Sequence, residues 1–427
     1  VAARSGRDDD TYTVVEICAG AGGQALGLER AGFEHVLAVE LDENAVATLK
    51  LNRPNWDVRT GDVASSEVWK PAEFEGVSLL AGGVPCPPFS IAGRQLGASD
   101  ERDLFSWAVE QVAVVKPRAL MLENVRGLSQ PRFDAYRARI LARLRELGYE
   151  PFWKLLHASD FGVPQLRPRF VLVALRPGDA KYFRWPQAHE SSISVGDALR
   201  DLMAADGWPH ADEWATMAND VGPTIVGGSK KHGGADLGPT RAKAAWLQLG
   251  VDGKGVADAP PSTESPRPHD TPPRLTIEMV KRVQGWGQDY PWEFSGRKTS
   301  QYRQIGNAFP PPVARAVGEA VLAAFRRELV GGLGQIPASA ARAEDPLYTL
   351  LAANPGGIAD DEIFRHLPQL TPRTLAKRID RLGLDFEVEQ SVAGNTTTYR
   401  LGNFKGFVGQ AEHFRHDYIS EHRSKVS

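Results

Sequence analysis

The chain has 427 residues, 42% of them hydrophobic, with 50 Lys and Arg against 53 Asp and Glu. That length is more than one core usually fills and points to two or three domains. The formal net charge of −3 and the two cysteines, Cys18 and Cys86, exclude a uniformly basic coat, a disulfide framework and a four-cysteine zinc site.

No stretch approaches the roughly 18 apolar residues of a membrane helix. The polar, acidic segment from Val1 to Tyr12 has no signal-peptide core, so the cytosol is the expected compartment. From Thr13 to about Pro177 short apolar runs alternate with helical spacing. Thr13–Cys18, Val36–Val39, Val77–Ala81 and Ala119–Leu122 read as buried strands, with a further strand region before Asp62. Gln24–Ala31, Glu43–Asn52, Leu104–Val115 and Arg132–Leu147 read as the helices between them. This alternation predicts an α/β fold, a doubly wound and mostly parallel sheet. Two more apolar runs, Pro151–His157 and Arg169–Leu175, flank Gly162 and Pro164 and can pair as a hairpin.

From about Pro186 to Pro273 glycine, proline and tryptophan are frequent and periodicity is poor, as in a separate loop-rich domain. Between Ile225 and Ile305 there are 12 Lys and Arg against 8 Asp and Glu, a net of +4, which suits a DNA-facing surface as well as a solvated loop region. Helical spacing returns at Arg274–Val283 and again at Pro311–Leu329. The predicted boundaries are 1–188 for an α/β domain, 189–273 for the loop-rich domain, which would read a partner, 274–330 for a return to the first domain and 331–345 for a linker. Residues 346–427 then form a small unit. Helices around Leu347, Leu350 and Leu351, over Asp360–His366, and around Leu375, Ile379 and Leu382 precede a hairpin of Asp385–Val392 and Thr396–Leu401. This order resembles a winged helix-turn-helix whose third helix carries Arg373, Lys377 and Arg381 toward DNA. A packing or dimerisation module is the other reading.

Three sets of residues suggest chemistry. Glu16 to Gly23 follows the first strand and opens the first helix. Gly20, Gly22 and Ala25 fit G-x-G-x-x-A, a turn that lets a ligand approach backbone at a helix N-terminus. Glu40, at the end of the second strand, is placed to accept from ribose hydroxyls, and Asp62 to meet an adenine edge. The pattern suits a nicotinamide dinucleotide as well as S-adenosylmethionine. Cys86 sits in Gly82-Gly-Val-Pro-Cys-Pro-Pro-Phe-Ser90, a loop stiffened by Pro85, Pro87 and Pro88 at the carboxyl end of a strand. There a thiol is better placed as a nucleophile than as core filler. Glu123, at the end of the next strand, is a candidate proton donor, and Arg167 and Arg169 supply cations.

In order along the chain, these residues resemble the DNA cytosine-5 methyltransferase family over Thr13 to about Leu329. The resemblance rests on Glu16–Gly23, Glu40, Asp62 in Gly61-Asp-Val63, Pro85-Cys86, Arg102-Asp-Leu-Phe105, Glu123–Val125, Gln165 with Arg167 and Arg169, Arg274-Leu-Thr276 with Glu278 and Gln284, and Gln304–Ala308 followed by Pro310 to Val313. Cys18 stands where many members have an aromatic residue, and Pro87 where many have Gln.

The resemblance implies the S-adenosylmethionine-dependent methyltransferase fold, with S-adenosylmethionine held by Cys18, Ala19, Gly20, Ala21, Gly22, Gly23, Glu40, Leu41, Asp62, Val63, Pro85, Leu104, Asn307 and Ala308. It implies Cys86 as nucleophile, Glu123 as the acid at cytosine N3, Arg167 and Arg169 as the cations of the site, and a target base flipped out of the duplex. The loop Pro87–Ser99, with Ser90, Arg94 and Gln95, would close on DNA, and Thr224, Gly227, Gly228, Lys230 and Lys231 would face it, the lysines on phosphate. Trp208, Trp214 and Trp246 suit stacking on bases less well than core packing. The expected partner is double-stranded DNA, with no membrane, in a bacterial, nucleoid-associated restriction–modification or defence setting. The oligomeric state stays open, a monomer being favoured. A tRNA cytosine methyltransferase, a DNA-binding regulator with a degenerate catalytic domain and a dinucleotide-dependent oxidoreductase are the alternatives.

Overall fold

The computed structural model describes residues 11–84, 104–227, 234–287, 289–328, 345–394 and 396–406. Its first half builds a sheet. In chain order come β1 (Tyr12–Ile17), α1 (Gly23–Ala31), β2 (Phe33–Glu40), α2 (Glu43–Asn52), β3 (Val58–Thr60), β4 (Leu79–Gly82), α3 (Leu104–Val115), β5 (Ala119–Val125), α4 (Asp134–Glu146), β6 (Glu150–His157) and β7 (Pro168–Leu175). The seven strands lie in the order β3-β2-β1-β4-β5-β7-β6. The first five run parallel, and β7 pairs antiparallel with both β5 and β6, so the expected hairpin is present and lies at the sheet's edge.

Alternate residues of each central strand face opposite cores, as a sheet covered on both sides requires. Val15, Ile17, Leu80 and Leu122 point to one core, filled by Trp107 of α3 and by Tyr136 and Ile140 of α4. Val14, Leu79, Ala81 and Met121 point to the other, filled by Leu28 of α1 and a helix from the end of the catalytic region.

After the short α5 (Pro177–Ala180), the helices α6 (Val195–Met203), α7 (Ala211–Met217) and α8 (Thr240–Gln248) stand among long loops. Trp208, Trp214 and Trp246 are buried together there, and Trp214 donates its indole N–H to Gly250 O at 3.0 Å. They are core residues, so stacking on bases is not their task. The chain then returns through α9 (Ile277–Val283), α10 (Lys298–Asn307) and α11 (Pro311–Phe325). α11 lies along α1 so closely that a Cβ on Gly27 would stand 2.5 Å from both Pro311 O and Ala314 Cβ.

The last unit contains α12 (Pro346–Ala353), β8 (Ile358–Ala359), α13 (Asp360–His366), α14 (Pro372–Asp385), β9 (Phe386–Ala393) and β10 (Thr396–Phe404), with an antiparallel sheet in the order β8-β10-β9. The two-residue β8 was not expected; it is too short to leave a periodic signal. The unit has its own core of Leu347, Leu351, Ile363, Leu375, Ile379 and Leu382, and Ala135 of α4 joins it. The Phe404 ring lies 5.6 Å from that of Tyr136, and Ser106 Oγ donates to Gly406 O at 2.6 Å. The unit is thus seated on α3 and α4.

Candidate active site

The carboxyl ends of the parallel strands meet along one edge, because register aligns Ile17 with both Val39 and Gly82, and Gly82 with Leu122. Ligands bind at that edge in open α/β sheets. A cavity of about 1120 Å³ lies there.

One half of it is built by the loop from β1 to α1. Cys18, Gly20 and Gly22 have φ of +52, +55 and +92, the left-handed region where glycine is at ease. The tight turn presents the start of α1, whose cap supplies no side-chain acceptor and whose first turn has no acidic residue. These N–H groups are left to a ligand's carboxylate. Trp292 pins the turn from outside by donating to Ala21 O at 2.8 Å. A Cβ on Gly22 would stand 2.6 Å from the Trp292 ring, and one on Gly23 2.3 Å from Phe309 O.

Glu40 ends β2 inside this half. Gly20 N–H donates to its Oε2 at 2.7 Å and Asp42 N–H to its Oε1 at 2.8 Å. Burial raises its pKa, while the backbone donors pull it down. Both oxygens keep a lone pair for hydroxyl donors. Gln24 Oε1, buried on the wall, has no hydrogen-bond partner among the described residues and is a further acceptor. Leu41, Asp62, Val63, Leu104, Asn307 and Ala308 line the same space, as do Cys18, Ala19, Gly20, Ala21 and Gly23. Gly22 does not, and acts through the turn. A helix start open to a carboxylate, a carboxylate open to a ribose and an apolar wall fit S-adenosylmethionine.

The other half is built by β5 and β7. Glu123 and Arg169 sit diagonally on adjacent strands, and Arg169 Nε meets Glu123 Oε1 at 2.7 Å. Both line the cavity. Burial raises the pKa of Glu123, against the cations of Arg169 and Arg167. Its Oε2 lies 3.5 Å from where a Cβ on Gly83 would be, so the carboxyl faces the start of the Cys86 loop.

Arg167 is placed differently from Arg169. It is fully buried, off the cavity wall, with a φ of +23. Its guanidinium donates to Ile225 O at 2.8 Å, Gly306 O at 2.8 Å and Ala308 O at 2.7 Å. Gln165 works beside it, accepting from Ile225 N–H at 2.6 Å and donating to Gln284 Oε1 at 2.8 Å. The motif therefore sends one arginine to the cavity and uses the other to tie three distant segments together.

Thr224 lines the cavity, whereas Gly227 is buried and packs backbone on backbone, with its Cα 2.5 Å from where a Cβ on Gly306 would be. Arg373, Lys377 and Arg381 are exposed on α14, away from this cavity. Pro85, Cys86, Ser90, Arg94, Gln95, Gly228, Lys230 and Lys231 lie outside the described residues. Gln24, Arg126, His157 and Arg303 also line the cavity and were not anticipated. Gln24 and Arg303 adjoin Gly23 and Gln304 of recognised motifs, which was the available signal.

Residues 12–323 match the family described as C-5 cytosine-specific DNA methylase. The chain is 58% identical over 418 residues to the Type II methyltransferase M.NaeI of Lentzea aerocolonigenes, covering 97% of this chain and 99% of that one. It is 46% identical to the Type II methyltransferase M.NgoMIV of Neisseria gonorrhoeae, an alignment covering 74% of this chain and 99% of the relative. Among solved structures, a DNMT2 of Spodoptera frugiperda superposes with a TM-score of 0.51 at 16% identity, over 73% of this chain and 100% of that one, a likeness of fold.

Proposed function

The chain belongs to the C-5 cytosine-specific DNA methylase family, and we propose that it methylates a cytosine flipped out of a specific duplex sequence, through a transient bond between Cys86 and carbon 6. Membership makes it a DNA (cytosine-5-)-methyltransferase with S-adenosylmethionine as methyl donor. The observation that carries the residue-level reading is the continuity of the cavity. One chamber runs from the α1 turn and Glu40 to the Glu123–Arg169 pair.

When bound, S-adenosylmethionine supplies an electrophilic methyl group. Glu40 and the start of α1 orient it, with Asp62, Leu104 and Asn307 on the same wall. The rest falls to the chain. Carbon 5 of cytosine is a weak nucleophile, and addition of the Cys86 thiolate to carbon 6 turns it into an enamine carbon able to take the methyl group. Glu123 gives N3 the proton that balances the added charge. Arg169 holds Glu123 in place and lends positive charge to the site. Arg167 is a positioning residue. Loss of the carbon 5 proton to water then expels the Cys86 thiolate, and N3 returns its proton to the Glu123 carboxylate, which restores the neutral ring. Thr224, at the rim, is a candidate for contact with the DNA entering the cavity.

We place this activity in restriction–modification, where methylation shields a recognition sequence, acting on the bacterial chromosome in the cytoplasm. Among the described residues no helix is long and apolar enough to cross a membrane. Wild type and Cys86→Ala are to be incubated with unmethylated genomic DNA, tRNA and labelled S-adenosylmethionine, and methylated cytosines mapped base by base. The expected outcome is methylation of DNA within one short sequence, abolished in the variant. Methylation of tRNA alone, or unimpaired methylation by the variant, would refute the reading.

A further inference from the structure

Many surface arginines of this protein are paired with carboxylates, including Arg365 with Asp361, Arg400 with Glu389 and Arg139 with Glu146. Others, such as Arg241 and Arg267, have no ion pair among the described residues, and the outer face of α14 differs in carrying its cations as a row. Leu375, Ile379 and Leu382 bury one side of this helix, and Arg373, Lys377 and Arg381 stand exposed on the other, four residues apart. None of these three cations forms an ion pair among the described residues. Like charges at that spacing repel along a helix, so the row is an arrangement that a bound polyanion would relieve. Asp380 is the exposed carboxylate on the same side.

The seat on α3 and α4 fixes the row relative to the rest of the molecule. The end of α14 lies near the first turn of α4, where Ala135 enters the C-terminal core and Tyr136 meets Phe404. Just ahead of that turn, Arg132 feels the positive charge of Arg381, which adds to burial in lowering its pKa. Arg126, on the same segment after β5, is exposed and lines the cavity.

We propose that the outer face of α14 is a phosphate-binding row, by which the C-terminal unit grips duplex DNA flanking the target base. This rests on the DNA-methylating function proposed above. Phosphate is favoured over base edges because the row is evenly spaced, flexible and cationic, and such contacts position a duplex without reading it.

The test uses the full-length protein carrying Arg373→Gln, Lys377→Gln and Arg381→Gln together, and separately Lys377→Gln and Asp380→Asn, with a mixed-sequence duplex of about 40 base pairs as probe, long enough for several helical turns. Kd is measured at about 50 and about 200 mM salt, where each phosphate contact contributes about 0.9 to the logarithmic salt slope. Three lost contacts flatten the slope by about 2.7, so the affinity lost between the two salts should be about 40-fold smaller in the triple variant than in wild type. Lys377→Gln alone should flatten it by about 0.9. Asp380→Asn should tighten binding. Unchanged affinity and slope in a triple variant with wild-type Tm and cofactor affinity would overturn the proposal, as would weaker binding by Asp380→Asn. Methylation of genomic DNA by the wild type, followed in parallel, reports separately on the function itself.

Discussion

Glu123 is pulled two ways. Burial favours its neutral form, and Arg169, 2.7 Å away, favours its charged one. The net direction is upward from the ordinary carboxylate value, which suits a group that must hold a proton until N3 of the base takes it. The sign follows. As pH rises through the raised pKa, the protonated fraction falls, so kcat should decline on the alkaline side. Glu123→Gln should cost about 10²- to 10⁴-fold in kcat, the usual worth of a positioned acid, and should remove that decline. Arg169→Met deletes the nearest stabilising cation, so the alkaline limb should move to higher pH. A pH profile of kcat under saturating DNA and cofactor checks both. An alkaline limb that stays in place in Arg169→Met would show that Arg169 does not set the acidity of Glu123.

Between elements, the arginine that never reaches the cavity does as much for the site as the one that does. Arg167 gives hydrogen bonds to carbonyls of the loop before residue 227, of the end of α10 and of the segment entering α11. A planar guanidinium can serve three carbonyls at once, and an ammonium on a shorter reach cannot. Arg167→Lys should leave at least one buried carbonyl without a donor, a loss of about 1–3 kcal/mol for each, and should lower Tm. Hydrogen exchange should quicken at Ile225 and around Gly306 before it does in the central strands. This division of labour between Arg167 and Arg169 was not legible in the sequence, since residues two apart in a strand would share a face, and only the left-handed turn at Arg167, φ +23, just before β7 separates their directions. What was legible had local causes. α2 and α3 begin and end where apolar spacing places them, and Asp42 accepts from Asn44 N–H at 2.9 Å to cap the start of α2. The Gly-rich turn and Glu40 were visible because a ligand's approach demands small residues and a strand-end carboxylate. The helices α7 and α8 were not, because they bury little besides Trp214 and Trp246, which pack with residues distant in sequence; α6 does carry a repeating face, Val195, Leu199 and Met203, but one short helix among glycines and prolines reads as loop.

At the scale of the whole molecule, the family match ends at residue 323, and a relative aligned over 99% of its own length corresponds to only 74% of this chain. The C-terminal unit thus lies outside the family match, yet it is not loosely attached. Phe404 lies between Tyr136 of α4 and Phe386 of its own core, with centroids 5.6 and 5.2 Å away, and Ser106, two residues into α3, holds Gly406. Leu104, at the start of that same helix, lines the cavity. Seating the unit and shaping the cofactor side of the site thus share one helix. If the cations of α14 contribute to holding DNA, they do so only while this seat is rigid, because a unit free to pivot presents its charges at random to a duplex fixed elsewhere. Phe404→Ala should loosen the seat by about 1–2 kcal/mol, the worth of a partly buried aromatic side chain. Hydrogen exchange should then speed up in α12 and β10 while the parallel strands stay protected. Cofactor affinity should hold within about twofold, since no residue of the α1 turn is touched, and affinity for a duplex of about 40 base pairs should fall toward that of the triple variant without reaching it. Calorimetry with S-adenosylmethionine and DNA titrations on the same preparation would check the two together. Faster exchange with undiminished DNA affinity would mean that the unit binds DNA independently of its seat.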